Sequence, residues 1–386
     1  MQLNRDVSLL YQKLGPAIQD RDSVSNPEEF LVMGNYVGNL YRSLVFMGDA
    51  SVDITHTHVF GSEENYQKFL KHLNAYNNQL LDSYLLKQGF HRQFCGEALP
   101  DVEDGLWELL SGTKSANPEE DHFTPKEFDE VFFGFLKSIG LLELFEKYLK
   151  ERRIHSNIIG QDAGNLGFML HNPMKRDTDI FVKDFHPTFY HMATLAHEFG
   201  HVYDLENFHG DAKKYNEYFY LSFFEEVMPR LLERLIHRYC LKNHIMVPVV
   251  ISSYVDLAIL CHDYFLQGYI FSLLDPALLR KGLDSIDLEE IVSQVKDHFK
   301  ETAPLHDYVK NLKELSLPEV YSYLYGDILS MFFAEDVEAN GMNSEMMEYF
   351  FSRRSEPFPE DFMRECGFGP KNYTKLYQKE VKLIKN

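Results

Sequence analysis

Two histidines four residues apart, His197 and His201, occur in the run His-Glu-Phe-Gly-His. On a helix, residues at this spacing lie on one face, so both imidazoles can bind the same metal ion. Glu198 directly follows the first histidine, where its carboxylate can take a proton from a water held by the metal. The pattern therefore predicts a metal-dependent hydrolytic site on a helix, with Glu198 as general base.

The residues around this motif predict an amphipathic helix. The apolar positions of the helix form one stripe, made of Met192, Leu195, Ala196, Phe199, Val202 and Tyr203. His197 and His201 fall on the opposite side of the helical wheel, with Glu198 at the flank. One face of the helix can therefore pack on a core while the other faces a cleft.

A third protein ligand would complete such a metal site, and the metzincin spacing does not supply it. That class has a glycine three residues and a histidine six residues after the second histidine, where this chain has Asp204 and Asn207. Two acids remain, Glu225 and Glu226, within the apolar run YFYLSFFEEVMPRLLERL, which predicts one continuous helix. Carboxylates among phenylalanines are costly in a core, and metal binding by one of them would offset that cost.

The rest of the chain is predicted to be mainly helical, with one exception just before the motif. Residues 154–185 are rich in Gly and Asn, and short apolar runs at Gly167–Leu170 and Asp179–Val182 predict two strands joined by a turn. Helical character resumes near Thr188. An exposed edge of the strand at Gly167 and Phe168 could bind the backbone of a peptide substrate by strand addition.

Local signals predict where other helices begin and end. Gly89 is a candidate C-cap for a helix that starts near Tyr66. Thr124 and Pro125 are a candidate N-cap and first residue for a helix that continues to about Arg153. Further breaks are predicted near Gly210, at Pro248, between Asp275 and Gly282, and at Pro318.

Several stretches of the chain resemble the thimet oligopeptidase and oligoendopeptidase F family of zinc peptidases. They are GNLGFMLHNP, TLAHEFGHVYD, FFEEVMPRLLE, VYSYLYGDILS and MEYFFSRRSEPFPEDFMRECGFGP, and they cover roughly residues 150–370. The resemblance implies a helical zincin fold of the gluzincin type. It also implies one Zn²⁺ per chain, bound by His197, His201 and Glu226, since the family places its third ligand 25 residues after the second histidine.

The resemblance implies roles for residues beyond the metal ligands. Tyr323 is the best match to the catalytic tyrosine of the family, which would stabilise the oxyanion of the tetrahedral intermediate. Tyr321 is the second match and is predicted to contact the substrate. Glu233, seven residues after Glu226, also fits the family pattern. The activity implied is hydrolysis of short peptides, with Glu198 as general base.

Two departures from the family pattern leave alternatives open. This chain has only 196 residues before His197, fewer than full-length members have, and the stretch KELSLPEV lacks the substrate-binding histidine of the family. His306 lies further upstream. The alternatives are a non-catalytic relative that keeps the metal and binds peptides, and a helical interaction protein in which the motif is fortuitous.

The amino-acid composition limits the classes of binding partner and the cellular location that we expect. The chain has 386 residues, and its 59 acidic against 38 basic side chains give a net charge of −21, which repels nucleic acid and anionic membranes. Four scattered cysteines without CxxC spacing predict neither disulfides nor a cysteine zinc site. We predict short peptides as partners, no nucleic acid and no membrane, and a cytoplasmic location, since the first 15 residues contain no apolar signal region. The sequence does not indicate an oligomeric state.

The domain organisation is predicted from the same features. Residues 1–150 form an N-terminal helical region, and residues 151–386 form the catalytic region, with the small sheet within 154–185. The most apolar stretch, Ile245–Leu274, contains a proline and two aspartates, so it predicts buried helices and no uninterrupted membrane span.

Overall fold

The computed structural model describes residues 1, 3–49, 51–52, 55–112, 122–156, 167–183, 185–282, 287–298, 309–310, 316–354 and 359–385. Within these ranges the protein is mainly helical with one small sheet, which confirms the predicted fold class. The helices are α1 Ser8–Ser23, α2 Pro27–Phe46, α3 His56–Phe60, α4 Glu63–Gly112, α5 Pro125–Ser138, α6 Leu142–Lys150, α7 Phe189–Glu206, α8 Ala212–Leu221, α9 Val227–Lys242, α10 Val247–Leu273, α11 Pro276–Lys281, α12 Leu288–Val295, α13 Leu317–Asn340, α14 Glu345–Arg353, α15 Pro359–Glu365 and α16 Pro370–Lys385.

The sheet has three strands, β1 Ile154–Ser156, β2 Gly167–Asn172 and β3 Asp177–Val182, in the order β1-β3-β2. The two predicted strands correspond to β2 and β3, which pair antiparallel. The third strand, β1, pairs parallel to β3 and was not expected from the sequence. The sheet order places β2 at an edge, and β2 packs against both α2 and α7.

The motif helix α7 begins where the sequence predicts. The Thr188 side chain accepts a hydrogen bond from the His191 amide at 3.2 Å and so caps the first turn. The predicted apolar stripe of α7 is buried in the core. Gly200 lets α7 cross α9 closely, because a β-carbon there would lie 2.4 Å from the Cα atom of Pro229.

The segment after α7 differs from the single helix expected. Helix α8 ends at Leu221 and α9 begins at Val227, so Glu225 and Glu226 lie in the connection between two helices. The Ser222 hydroxyl accepts the Phe224 amide at 3.1 Å and turns the chain. Pro229 falls in the first turn of α9, where a backbone N–H would have no acceptor within the helix, so a proline is tolerated there.

Two helix ends are also corrected. Gly89 is no C-cap but lies inside α4, whose buried residues continue on the same face to Leu109 and pack against α10 and α16. That packing outweighs the entropic cost of a glycine within a helix. The helix predicted to reach about Arg153 is divided at Gly140, which has a φ of +80°. The Thr124–Pro125 start of α5 is confirmed, with a complete capping box.

Helix α10 is a single unbroken helix, whereas several buried helices were expected from the apolar stretch. Pro248 falls in its first turn and therefore does not interrupt it. Among the described residues it is the one helix long and apolar enough to cross a membrane by length and composition, a test that core helices also pass. Here α10 packs against α4, α9 and α13.

Buried ion pairs connect three helices near the motif helix, namely α9, α13 and α16. Arg234 of α9 donates to Asp327 of α13 at 2.5 Å and to Glu380 of α16. The Arg238 side chain also donates a hydrogen bond from Nε to Glu380 at 3.0 Å.

Helix α4 of the predicted N-terminal region packs along α10 and α16 of the predicted catalytic region, so the two regions share a core. The boundary at residue 150 stays a prediction.

Candidate metal centre

Three predicted ligands meet in one place. His197 and His201 come from α7, and Glu226 comes from the N-cap position of α9. Each offers a ligand atom that lies within 4.8 Å of the other two. The His197 Nε2 atom is 3.4 Å from the Glu226 Oε2 atom, and the His201 Nε2 atom is 3.7 Å from Oε1. These side chains form a group that can hold a metal ion.

The chemistry of this group fits a bound cation. Glu226 is 7% exposed, and its Oε2 atom is buried with no hydrogen-bond donor among the described residues. A buried carboxylate oxygen without a partner is costly, and a cation between the imidazoles and the carboxylate would offset that cost. Two imidazoles and one carboxylate are also the donor set of catalytic zinc sites that keep one position open.

A second glutamate orients the first histidine. The Oε2 atom of Glu233 lies 3.3 Å from the Nδ1 atom of His197 and accepts a hydrogen bond from Arg230 at 2.8 Å. With Nδ1–H directed at a carboxylate, the lone pair of Nε2 is available for a metal. Burial acts to raise the pKa of Glu233, but Arg230 and His197 hold that pKa well below its usual value. Glu233 therefore stays ionised.

Glu198 lies beside the group without joining it. The side chain is 6% exposed, and burial raises the pKa of its carboxyl to about 7, with His197 acting to lower the pKa and Glu226 to raise it. A carboxyl group near neutrality is suited to general acid–base work. Strand β2 lies directly over it, because a β-carbon at Gly167 would be 2.7 Å from the Glu198 Oε1 atom.

Tyr323 brings a hydroxyl group to the same place. The negative charge of the nearby Glu226 carboxylate raises the pKa of Tyr323 well above its usual value. The tyrosine ring stacks on Tyr264 with centroids 4.8 Å apart, and the Arg230 guanidinium lies 5.0 Å from the ring centroid. The hydroxyl therefore stays protonated and can donate a hydrogen bond.

The structure does not bring Tyr321 into the site. Its side chain is fully buried, and its hydroxyl donates to the Gly268 carbonyl at 2.7 Å and lies 2.9 Å from the Tyr84 hydroxyl. Two positions along α13 correspond to about 200° of rotation, so Tyr321 and Tyr323 face opposite ways. Tyr321 is thus part of the core, and its placement does not support the predicted contact with substrate.

Two cavities meet at the candidate metal centre. The first, of about 210 Å³, is lined by His197, Glu198 and His201 together with the predicted strand residues Gly167 and Phe168. The second, of about 310 Å³, is lined by Glu226 among others. Both cavities share three lining residues, Phe219, Glu225 and Tyr323.

One part of the lining of the first cavity was not predicted from the sequence. It consists of Asn35, Tyr36 and Asn39 from α2 and of Tyr215 and Phe219 from α8. The signal that could have identified it is the pair of asparagines four residues apart in an otherwise apolar helix. The Asn35 side-chain amide donates to the Tyr220 hydroxyl, which joins α2 to α8.

The two neighbouring acids after α8 have different surroundings. Glu226 faces the histidines, whereas Glu225 lines both cavities. Burial, with further contributions from the negative charges of Glu226 and Asp204, raises the pKa of Glu225 to about 8.

Parts of the segments that resemble the peptidase family lie outside the described residues, as does His306. The parts concerned fall within residues 157–166 and 313–315.

No protein-family model and no curated protein matches this chain. Among solved structures, the chain is similar to the crystal structure of a putative peptidase from Chlamydophila abortus, with a TM-score of 0.43 and 12% sequence identity. The similarity covers 92% of this chain and 63% of that chain, so this chain spans less than two thirds of the other protein. Membership of the thimet oligopeptidase and oligoendopeptidase F family stays a prediction, and the function proposed below rests on the geometry of the site.

Proposed function

We propose that this protein is a zinc-dependent peptidase that hydrolyses short peptides in the cleft between β2, α2 and α8. The observation that carries the proposal is the arrangement of the metal-binding group beside a buried carboxyl group and a tyrosine hydroxyl. His197, His201 and Glu226 would hold the ion, and Glu198 and Tyr323 lie next to them without joining the group.

Each residue of the site would perform a defined part of the reaction. Bound zinc would polarise the scissile carbonyl and lower the pKa of an attacking water. Glu198 accepts a proton from that water and passes it to the leaving amine, a transfer for which a pKa near 7 is well matched. Glu233 keeps His197 in the orientation that directs Nε2 towards the ion.

Tyr323 is placed to stabilise the developing oxyanion. Its hydroxyl lies in the same cavity as His197, Glu198 and His201 and can donate its hydrogen to a substrate oxygen there. Tyr264 and Arg230 contact the tyrosine ring and fix its plane. A preorganised donor of this kind acts without reorganisation cost in the transition state.

Substrate backbone would be held by β2. This strand lies at the edge of the three-stranded sheet, and none of the other described strands pairs with its outer side. An extended peptide added there would pass over Glu198, since Gly167 lies against that side chain. Recognition through main-chain hydrogen bonds accommodates many peptide sequences.

The experiment is metal analysis and peptide hydrolysis on the same purified sample. Protein prepared without added metal should contain close to one zinc per chain and should cleave a mixture of quenched fluorogenic peptides. A chelator should abolish cleavage, and added zinc should restore it. Retained zinc without any cleavage would favour the non-catalytic peptide-binding alternative, and absence of metal would favour the fortuitous motif.

A further inference from the structure

The second cavity beside the metal centre has a composition of its own. Three aromatic side chains and three carboxylates contribute to its lining, namely Phe219, Tyr220, Tyr323, Glu225, Glu226 and Glu319. Among the described residues that line it there is no lysine or arginine. We call it the acidic cavity. It opens on the metal centre through Tyr323 and Glu226.

Among the described residues, no lysine or arginine forms an ion pair with the carboxyl groups of the acidic cavity. Glu226 belongs to the metal-binding group. Glu225 has no hydrogen bond or ion pair with any described side chain. The nearby Arg230 donates to Glu233 and does not line the cavity. The inner end of the acidic cavity thus holds carboxyl groups that are not paired with a lysine or arginine among the described residues.

These features suit one kind of ligand. A partly buried carboxylate beside other acids is destabilised, and a cationic group offsets that cost more than a neutral group can. Aromatic faces attract cations and also cover the methylene stem of a long side chain. Lysine and arginine side chains combine such a stem with a terminal cation.

We propose that the acidic cavity is the subsite for a basic side chain of the peptide beside the scissile bond, with Glu225 as its specificity-determining residue. Glu319, on the exposed first turn of α13, would add attraction at the mouth of the cavity. The inference rests on the proposed peptidase function for the identity of its ligand as a peptide.

The test uses two ligands of nearly the same shape, of which one carries a positive charge and the other is neutral. N-acetyl-arginine amide and N-acetyl-citrulline amide are titrated into the purified protein, and their dissociation constants are measured by calorimetry. We expect the arginine ligand to bind roughly tenfold more tightly, as one partly buried charge-assisted hydrogen bond provides. Equal binding of the two ligands by the parent protein overturns the proposal without any variant.

Variants then locate the preference. Glu225→Gln should reduce the arginine-to-citrulline ratio to roughly two or less, and Glu319→Gln should reduce it by a smaller factor. Glu217→Gln is the matched control, because Glu217 lies on α8, pairs with Lys213 at 3.7 Å and lines neither cavity. A ratio unchanged in both Glu225→Gln and Glu319→Gln would remove the acidic cavity from ligand recognition.

Hydrolysis separates this proposal from the one on which it rests. For peptides that contain arginine or citrulline at one position, the ratio of kcat/KM values should follow the binding ratio in the parent and in each variant. Cleavage of both peptides at equal rates contradicts the basic subsite and leaves the peptidase function standing. Absence of cleavage contradicts the peptidase function, while the calorimetric comparison still decides whether the acidic cavity binds cations.

Discussion

Gly326 of α13 lies against the backbone of Glu226, so that a β-carbon at position 326 would be 2.8 Å from the Glu226 carbonyl oxygen. Just after this connection, Gly200 of α7 lies against Pro229 of α9, where a β-carbon at position 200 would be 2.4 Å from the Pro229 Cα atom. The three helices that supply the histidines, the glutamate and Tyr323 can converge only because these two positions have no side chain. The geometry of the metal-binding group thus depends on helix packing at Gly200 and Gly326, which are not themselves candidate ligands.

Gly326→Ala should therefore damage both the fold and the site. The contact is with backbone atoms, which cannot rotate away, so α13 must shift, and overpacking of this kind costs about 1–3 kcal/mol. Urea unfolding should show this loss, and zinc affinity should fall with it. The matched control is Gly89→Ala within α4, where no atom lies within 4 Å and removal of a helical glycine should stabilise by about 0.5–1 kcal/mol. Equal stability of the two variants would mean that α13 adjusts freely.

Glu226→Gln should remove the metal, whereas Glu225→Gln should leave it bound. Glu226 lies within ligand distance of both histidines, and the amide that replaces its carboxylate is a much poorer donor to a dication. Glu225 is oriented to the cavities and lies outside the group. Metal stoichiometry after dialysis against a weak chelator measures the difference. The reverse result would exchange the roles assigned to these two neighbours.

Tyr323→Phe should lower turnover without affecting metal content. Removing one oxyanion donor typically costs a factor of about 10²–10³ in kcat, and kcat/KM should fall in parallel, since the hydroxyl acts in the transition state. Tyr321→Phe provides the control. It removes a buried hydrogen bond to Gly268, so it should destabilise the fold by about 1 kcal/mol while the folded fraction keeps its turnover. Comparable losses of kcat in both variants would argue that Tyr323 acts only through packing.

The motif helix α7 could be predicted from the sequence because its signals are local. The spacing of His197 and His201, the apolar stripe and the helix start near Thr188 all fall within one short segment, and the structure has them as expected. Glu226 was selected by the family spacing, and the structure places it beside the histidines. The prediction of one continuous helix around Glu226, however, was wrong. Helical periodicity continues in the sequence through the break that the Ser222 side chain creates.

Other parts of the site depend on contacts distant in the sequence. Strand β1 is only three residues long and is held partly by Asn4, whose amide donates to the Ile154 carbonyl at 2.8 Å. The wall formed by α2 lies more than 150 residues before the motif. For Tyr321 and Tyr323, the helical wheel separates the two side chains, but only packing decides which one faces the core.

The pH dependence of stability should contain a contribution from Glu380. Burial acts to raise the pKa of this carboxyl, but Arg234 and Arg238 lower it below the usual 4.5. A lowered folded-state pKa contributes stability above the unfolded-state pKa, and that stability is lost as pH falls through the folded-state value. The free energy of unfolding should therefore fall below about pH 4.5. Glu380→Gln should be less stable at neutral pH, because two arginines lose their partner, and should show a shallower acid dependence. Parallel pH curves for parent and variant would contradict this role.

Glu198→Gln separates catalysis from structure most directly. Glutamine has nearly the same size and can still hydrogen-bond a water, but it cannot accept a proton at neutral pH. The variant should retain zinc, because Glu198 is not one of the three grouped ligands, and should lose hydrolysis by a factor on the order of 10²–10⁴. Burial and the adjacent Glu226 disfavour the charged form of Glu198, so a neutral side chain should leave the thermal stability of the metal-free protein unchanged or raised.

These opposite expectations for activity and stability make the variant informative. A glutamate with a structural role only would lose stability on substitution and keep its rate, whereas a general base loses its rate and keeps its stability. Zinc content, melting temperature and cleavage of the same peptide mixture should be measured side by side on parent and Glu198→Gln, with Glu130→Gln on the solvent side of α5 as a control for loss of charge. Cleavage at the parental rate by Glu198→Gln would contradict the proposed mechanism, because none of the other described carboxylates in the first cavity lies on the motif helix α7 beside the two histidines.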